Sequence, residues 1–66
     1  MDKLDKLYLF LRTEIGNDNA EIALSIIRRN WKEINNQGGI PKRLEEEFTS
    51  YQVNFQEVNE LTQVII

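Results

Sequence analysis

The residue types that most often carry catalysis and metal binding are missing from this chain, whose 66 residues include no histidine and no cysteine. General acid–base catalysis then depends on carboxylates. Asp2 with Asp5, and Glu57 with Glu60, have the three-residue spacing that places two side chains on one helix face. A divalent cation normally collects more oxygen ligands than such a pair supplies. The sequence therefore predicts no metal site, no cofactor and no catalytic residue.

Nucleophilic and phosphate-binding chemistry also lack their supporting residues. Ser25 and Ser50 have no histidine that could activate them as nucleophiles. Gly38-Gly39 lacks the Gly-x-x-x-x-Gly-Lys spacing of a phosphate-binding loop. We therefore predict that the protein is not an enzyme.

The net charge of −3 is distributed unevenly along the chain. Residues 28–43 hold five positive charges and one negative charge, whereas residues 44–66 hold five negative charges and no positive charge. Arg28, Arg29 and Lys32 are the predicted anion-facing residues of the basic segment. The more ordinary interpretation is that both segments form solvated helix faces that attract one another. The overall acidity argues against a nucleic-acid partner, which clustered Lys and Arg would favour.

The elements that must position these residues are predicted to be helices within one small domain spanning 1–66. Apolar residues recur at helical spacing, and the sequence predicts an all-α bundle of three to four helices at about 2–15, 19–36, 41–50 and 55–65. Gly16 is the expected end of the first helix. Asp18 with Glu21 gives a capping signal for the second, with Asn17 and Asn19 as competing caps. No apolar run is long enough to cross a bilayer, so we expect a cytoplasmic protein without a membrane partner.

The segment after Pro41, the expected first residue of the third helix, has two interpretations. In one, a single helix continues to about Ile65, because apolar residues alternate by four and three as in a heptad pattern. In the other, which we favour, the helix breaks near 49–54. Asn54 then caps a new helix, with Glu57 three residues later completing a capping box. A continuous helix would extend beyond the others and leave its apolar residues for a partner to cover.

More apolar surface is present than a chain of this size easily hides, which predicts a protein–protein interface. Leu9 and Phe10 lie off the apolar stripe of the first helix, and other apolar residues widen the second helix or lie near the C-terminus. We expect a small interaction or regulatory protein that associates with a second copy of itself. The predicted interface residues are Leu9, Phe10, Ile22, Ile26, Phe55, Val58, Leu61, Val64 and Ile65.

The alternative function is a DNA-binding transcriptional regulator. Residues 41–61 loosely resemble a helix-turn-helix motif, because their apolar spacing matches that of its two helices. The resemblance fails where Glu45 replaces a small residue and Thr49 replaces the glycine of the turn. The second helix would present Glu57 and Glu60 to a polyanion, so nucleic acid is possible but disfavoured.

Overall fold

The computed structural model describes residues 2–66, and within them it contains helices and no strands. The predicted all-α class is confirmed, although the number of helices is larger than expected. The five α-helices are α1 (Lys3–Ile15), α2 (Asn17–Arg29), α3 (Trp31–Gln37), α4 (Glu45–Ser50) and α5 (Phe55–Ile65). A short 3-10 helix, Lys42–Leu44, directly precedes α4.

A single residue, Gly16, joins α1 to α2. Its backbone has a φ of +87°, a conformation that glycine adopts without steric cost, and its N–H donates to the carbonyl of Arg12 at 3.1 Å. The predicted end of the first helix is confirmed. However, α2 begins at Asn17, two residues earlier than predicted, and no side chain caps it. The Asp18 cap is therefore wrong, because the turn at Gly16 leads directly into the next helix.

The predicted helix 19–36 is two helices, interrupted at Asn30. The side-chain amide of Asn30 donates to the carbonyl of Ile26 at 2.8 Å, where the backbone N–H of residue 30 would bond in an uninterrupted helix. That N–H bonds to the carbonyl of Ile27 instead, at 3.1 Å. The helix therefore tightens and restarts at Trp31. Gly38, in the left-handed conformation, ends α3.

The loop after α3 is attached to α5. The side-chain oxygen of Asn59 accepts a hydrogen bond from the backbone N–H of Ile40 at 2.8 Å. Gly39 lies so close to α5 that a Cβ atom there would come within 3.0 Å of Gln63 and 3.3 Å of Asn59. Pro41 has an extended backbone and precedes the 3-10 helix, so the predicted helical start at Pro41 is wrong. The first α-helical residue after it is Glu45.

The favoured break between the last two helices is confirmed. α4 ends at Ser50, and Gln52 adopts a left-handed conformation with a φ of +63°. The N–H of Val53 then bonds to the carbonyl of Phe48 at 3.0 Å, as in the Schellman motif that ends many helices. The side chain of Asn54 caps α5 by accepting from the N–H of Glu57 at 2.9 Å. A continuous helix from Pro41 to Ile65 is excluded.

Because the chain breaks there, α5 packs against α1, which also packs against α2. The ring of Phe48 on α4 lies 5.7 Å from that of Phe55 on α5, centroid to centroid, in a tilted arrangement. All five α-helices contribute buried apolar residues to the core. Its buried apolar residues are Leu7, Leu11, Ala20, Ala23, Ile26, Ile27, Ile34, Ile40, Phe48, Val53 and Val58.

Candidate interaction surfaces

Two of the predicted interface residues belong to the core. Ile26 is only 2% exposed and Val58 is fully buried, so neither can supply contact area to another chain. Ile26 lies on the shoulder of the broad apolar face of α2, and neighbouring elements cover that shoulder. Val58 is buried because the break before Asn54 lets α5 fold back onto the other helices. Both assignments to an interface are wrong for that reason.

The other predicted interface residues divide into two groups. Ile22, Phe55, Leu61 and Ile65 are half-buried and pack against the core from its edges. The remaining three are exposed large apolar residues: Leu9 (43%), Phe10 (42%) and Val64 (74%).

Tyr51, which is not among the predicted interface residues, is 53% exposed. In a continuous helix from Pro41 to Ile65, the heptad pattern would place Tyr51 on the apolar side, but the residue lies in the turn that ends α4. It lines a groove with Ile22, beside the salt bridge between Arg29 and Glu47. The predicted break near 49–54 was the sequence signal from which the exposure of Tyr51 could have been predicted.

The two long N-terminal helices form a groove between them. Asp5 and Tyr8 of α1 line it opposite Leu24 and Arg28 of α2. Asp5 lies near the start of α1 and Arg28 near the end of α2, so the two helices run in opposite directions. Tyr8 and Leu24 are half-buried and form the apolar centre of this groove, with Asp5 and Arg28 at one end and Glu21 toward the start of α2.

Arg12 extends this surface toward the turn at Gly16. Its guanidinium lies over the ring of Tyr8, 5.6 Å from the ring centroid, and its Nε donates to the side-chain oxygen of Asn17 at 2.8 Å. These two contacts fix the direction of the side chain. They do not neutralise its charge, since neither partner is an anion.

The charges of the basic segment are partly neutralised within the chain. Arg29 forms a salt bridge with Glu47 of α4, which removes it from the predicted anion-facing set. Arg43 donates two hydrogen bonds of 2.6 Å to the carboxylate of Glu33. The hydrogen bonds from Arg43 lower the pKa of Glu33 below its ordinary value, and the same contact raises the pKa of Arg43.

The other two predicted anion-facing residues, Arg28 and Lys32, are exposed. Among residues 2–66 neither of them forms an ion pair. Arg28 lines the groove between α1 and α2, as does the paired Arg29, whereas Lys32 follows the interruption at Asn30 and is not among the residues that line it. The structure therefore does not gather the three residues into one anion site.

The residues that could read bases in a helix-turn-helix arrangement have other contacts. Asn54 caps α5 and Asn59 holds the backbone of Ile40. The preceding helix, α4, spans only Glu45–Ser50. Both side-chain amides therefore form hydrogen bonds within this chain, which leaves fewer polar groups on α5 that could contact bases in a DNA major groove.

The carboxylates do not assemble into a larger cluster. Within the described part of the chain, no group of three acidic side chains is close enough to hold a metal ion. Nor is any helix of residues 2–66 long and apolar enough to cross a membrane. No protein-family model, curated protein or solved structure matches this chain.

Proposed function

We propose that the protein is a small non-enzymatic interaction protein that associates with a second copy of itself. The observation that carries the proposal is the exposure of Leu9 and Phe10, two adjacent large apolar residues on α1. Neither belongs to the stripe that α1 turns toward the core. Fully burying a side chain of this size is worth about 1.5–3 kcal/mol, so covering the exposed two fifths of each would contribute roughly 1 kcal/mol to a complex.

The dimensions of the chain limit which surfaces can serve. A standard interface covers about 800 Å² on each partner, and the whole chain exposes 4293 Å². An interface of that size needs roughly one whole side of the molecule. A side formed by two neighbouring helices meets this requirement, whereas a single exposed residue such as Val64 does not.

Sedimentation equilibrium tests the proposal directly. We expect the wild-type protein at ~100 µM to have a mass above that of the monomer, since dimers of modest affinity are populated at that concentration. Leu9→Glu should shift the population toward monomer. Gln56→Glu, which adds the same charge at an exposed polar position of α5, should not. A monomer mass for the wild-type protein would overturn the proposal.

The DNA-binding alternative has weaker support, because Arg29 and Arg43 are paired with carboxylates and the acidic α5 would face the phosphates. We expect no binding to random duplex DNA at low salt. Binding that weakens steeply with salt and disappears in Arg28→Glu would favour the alternative over our proposal.

A further inference from the structure

The surface formed by α1 and α2 contains a sequence pattern that occurs twice. Each helix presents an acid, two residues at the third and fourth positions after it, and an arginine at the seventh. This spacing keeps all four side chains on one helix face. The two stripes, which we call together the hairpin face, are Asp5, Tyr8, Leu9 and Arg12 on α1, and Glu21, Leu24, Ser25 and Arg28 on α2.

Because α1 and α2 run in opposite directions, the two copies of the pattern are reversed relative to one another. The acid of one stripe lies at the same end of the face as the arginine of the other. Asp5 and Arg28 share one end of the groove. Arg12 lies seven residues farther along α1 and donates a hydrogen bond to Asn17 in the first turn of α2. Glu21 is one turn beyond Asn17, so Arg12 and Glu21 share the end of the face nearest Gly16.

None of these four charges is neutralised by an ion pair among residues 2–66, although the two members of each end lie on neighbouring helices. Tyr8 and Leu24 lie between the charged ends and are half-buried, and Leu9 extends the apolar area along the outer edge of α1. The hairpin face therefore has an apolar centre and alternating, unpaired charges around it.

We propose that the hairpin face is the surface on which a second copy of this chain docks. This inference rests on the proposed function, since it names the surface through which self-association occurs. The alternating charges are the argument for a second copy. A uniformly acidic or basic partner would meet two like charges on this face, whereas a copy related by a two-fold axis meets an unlike charge at all four positions.

Two orientations of the two-fold axis satisfy this condition. With the axis along the helices, Asp5 lies opposite the partner's Arg28, and Arg12 lies opposite the partner's Glu21. With the axis across the helices, Asp5 lies opposite the partner's Arg12, and Glu21 lies opposite the partner's Arg28. Charge swaps distinguish the two orientations because they exchange different pairs.

The experiment is sedimentation equilibrium of the full chain and of three variants. We expect D5R to raise the dimer Kd by about tenfold or more, because two unlike pairs in the symmetric dimer become like pairs. D5R/R28D should restore the Kd if the axis lies along the helices and weaken the dimer further if it lies across them. D5R/R12D should do the reverse.

The control is E46R, which makes the same charge change in the exposed first turn of α4, outside the hairpin face. E46R should leave the dimer Kd unchanged. Circular dichroism should show that every variant has the same helicity as the wild-type protein. As a second measurement that needs no variant, the wild-type Kd should rise severalfold between ~50 and ~500 mM NaCl.

The outcomes separate the two proposals. A wild-type protein that remains monomeric at ~100 µM overturns self-association itself. A dimer that D5R and salt leave unchanged, or that neither double variant restores, overturns the hairpin face while self-association stands. Restoration by one double variant supports the face and identifies the axis.

Discussion

The hairpin face and the side of the molecule that joins α2 and α3 to α4 carry charges of both signs but arrange them in opposite ways. On the second of these, which we call the α3–α4 side, Arg29 of α2 pairs with Glu47 of α4, and Arg43 of the 3-10 helix pairs with Glu33 of α3, so these four charges neutralise one another within the chain. On the hairpin face, Asp5 and Arg28 share a groove, and neither forms an ion pair with another residue of the described range 2–66.

The difference shows that composition alone does not decide what a charged residue does. The paired arginines connect residues that are 10 and 18 positions apart in the sequence. Charges of the same types on two regular helices remain available to a partner. The following predictions test whether the pairing or the packing holds the α3–α4 side in place, beginning with the largest effect.

Phe48→Ala should lower the free energy of unfolding by about 3–5 kcal/mol, because Phe48 is fully buried and packs against Phe55. Glu47→Gln, which breaks the salt bridge to Arg29 on the same short helix, should cost less than about 1 kcal/mol. Urea unfolding followed by the fluorescence of Trp31 measures both. A larger loss in Glu47→Gln would show that the ion pairs hold α4. If Phe48→Ala does not fold, Phe48→Leu gives the same ranking.

Asn59→Ala should lower the free energy of unfolding by about 1–3 kcal/mol, because the partly buried N–H of Ile40 loses its acceptor. Gln63→Ala is the matched control. Gln63 also approaches Gly39 from α5, but its side chain makes no hydrogen bond within residues 2–66. Equal losses in the two variants, measured by the same urea titration, would contradict the role of the hydrogen bond to Ile40.

Gln52→Gly should raise the free energy of unfolding by about 1 kcal/mol, because glycine adopts the left-handed backbone of residue 52 without the cost that a Cβ atom imposes. Gln56→Gly makes the same substitution inside α5 and should lower stability by about 0.5–1 kcal/mol. Thermal unfolding of the two variants compares them. The prediction fails if both substitutions destabilise the protein.

The smallest effect concerns the pair of Glu33 and Arg43. The pKa of Glu33 is lower in the folded chain than in the unfolded chain, so the pair stabilises the fold above the ordinary glutamate range. This stabilisation disappears as the pH falls through the lowered pKa. The difference in unfolding free energy between wild type and Glu33→Gln should therefore shrink to zero on acidification. A difference in unfolding free energy that persists in acid would contradict this role of the Glu33–Arg43 pair.

The sequence predicted those parts of the fold for which a local signal exists. Helical spacing predicted an all-α chain, Gly16 predicted the end of the first helix, and Asn54 with Glu57 predicted the break before α5. The interruption at Asn30 was missed, because the apolar periodicity continues through it and only the side-chain contact with the carbonyl of Ile26 reveals it.

The candidate surface was only partly predictable, because a helical wheel gives the direction of a side chain but not the neighbour that covers it. Leu9 and Phe10 are exposed as expected. The helical wheel makes Ile26 and Val58 equally good candidates for the interface, but both are buried by packing within the chain. The pairing of Arg29 with Glu47 depends on how distant segments fold together. The repeated charge pattern was visible in the sequence, but its meaning required the relative direction of α1 and α2.

The one-residue connection at Gly16 sets the phase between the two stripes. Each residue of an α-helix advances the side chain by about 100°, so the number of residues in the linker determines which sides of α1 and α2 point the same way. A linker of several residues could absorb an insertion by changing its path. A linker of one residue cannot do so. A single inserted residue would either turn Glu21 and Arg28 away from the α1 stripe or remove Ala20 and Ala23 from the core. Evolution of this chain can therefore alter the side chains of the hairpin face one at a time, but it cannot change the length of its turn without losing the face as a whole.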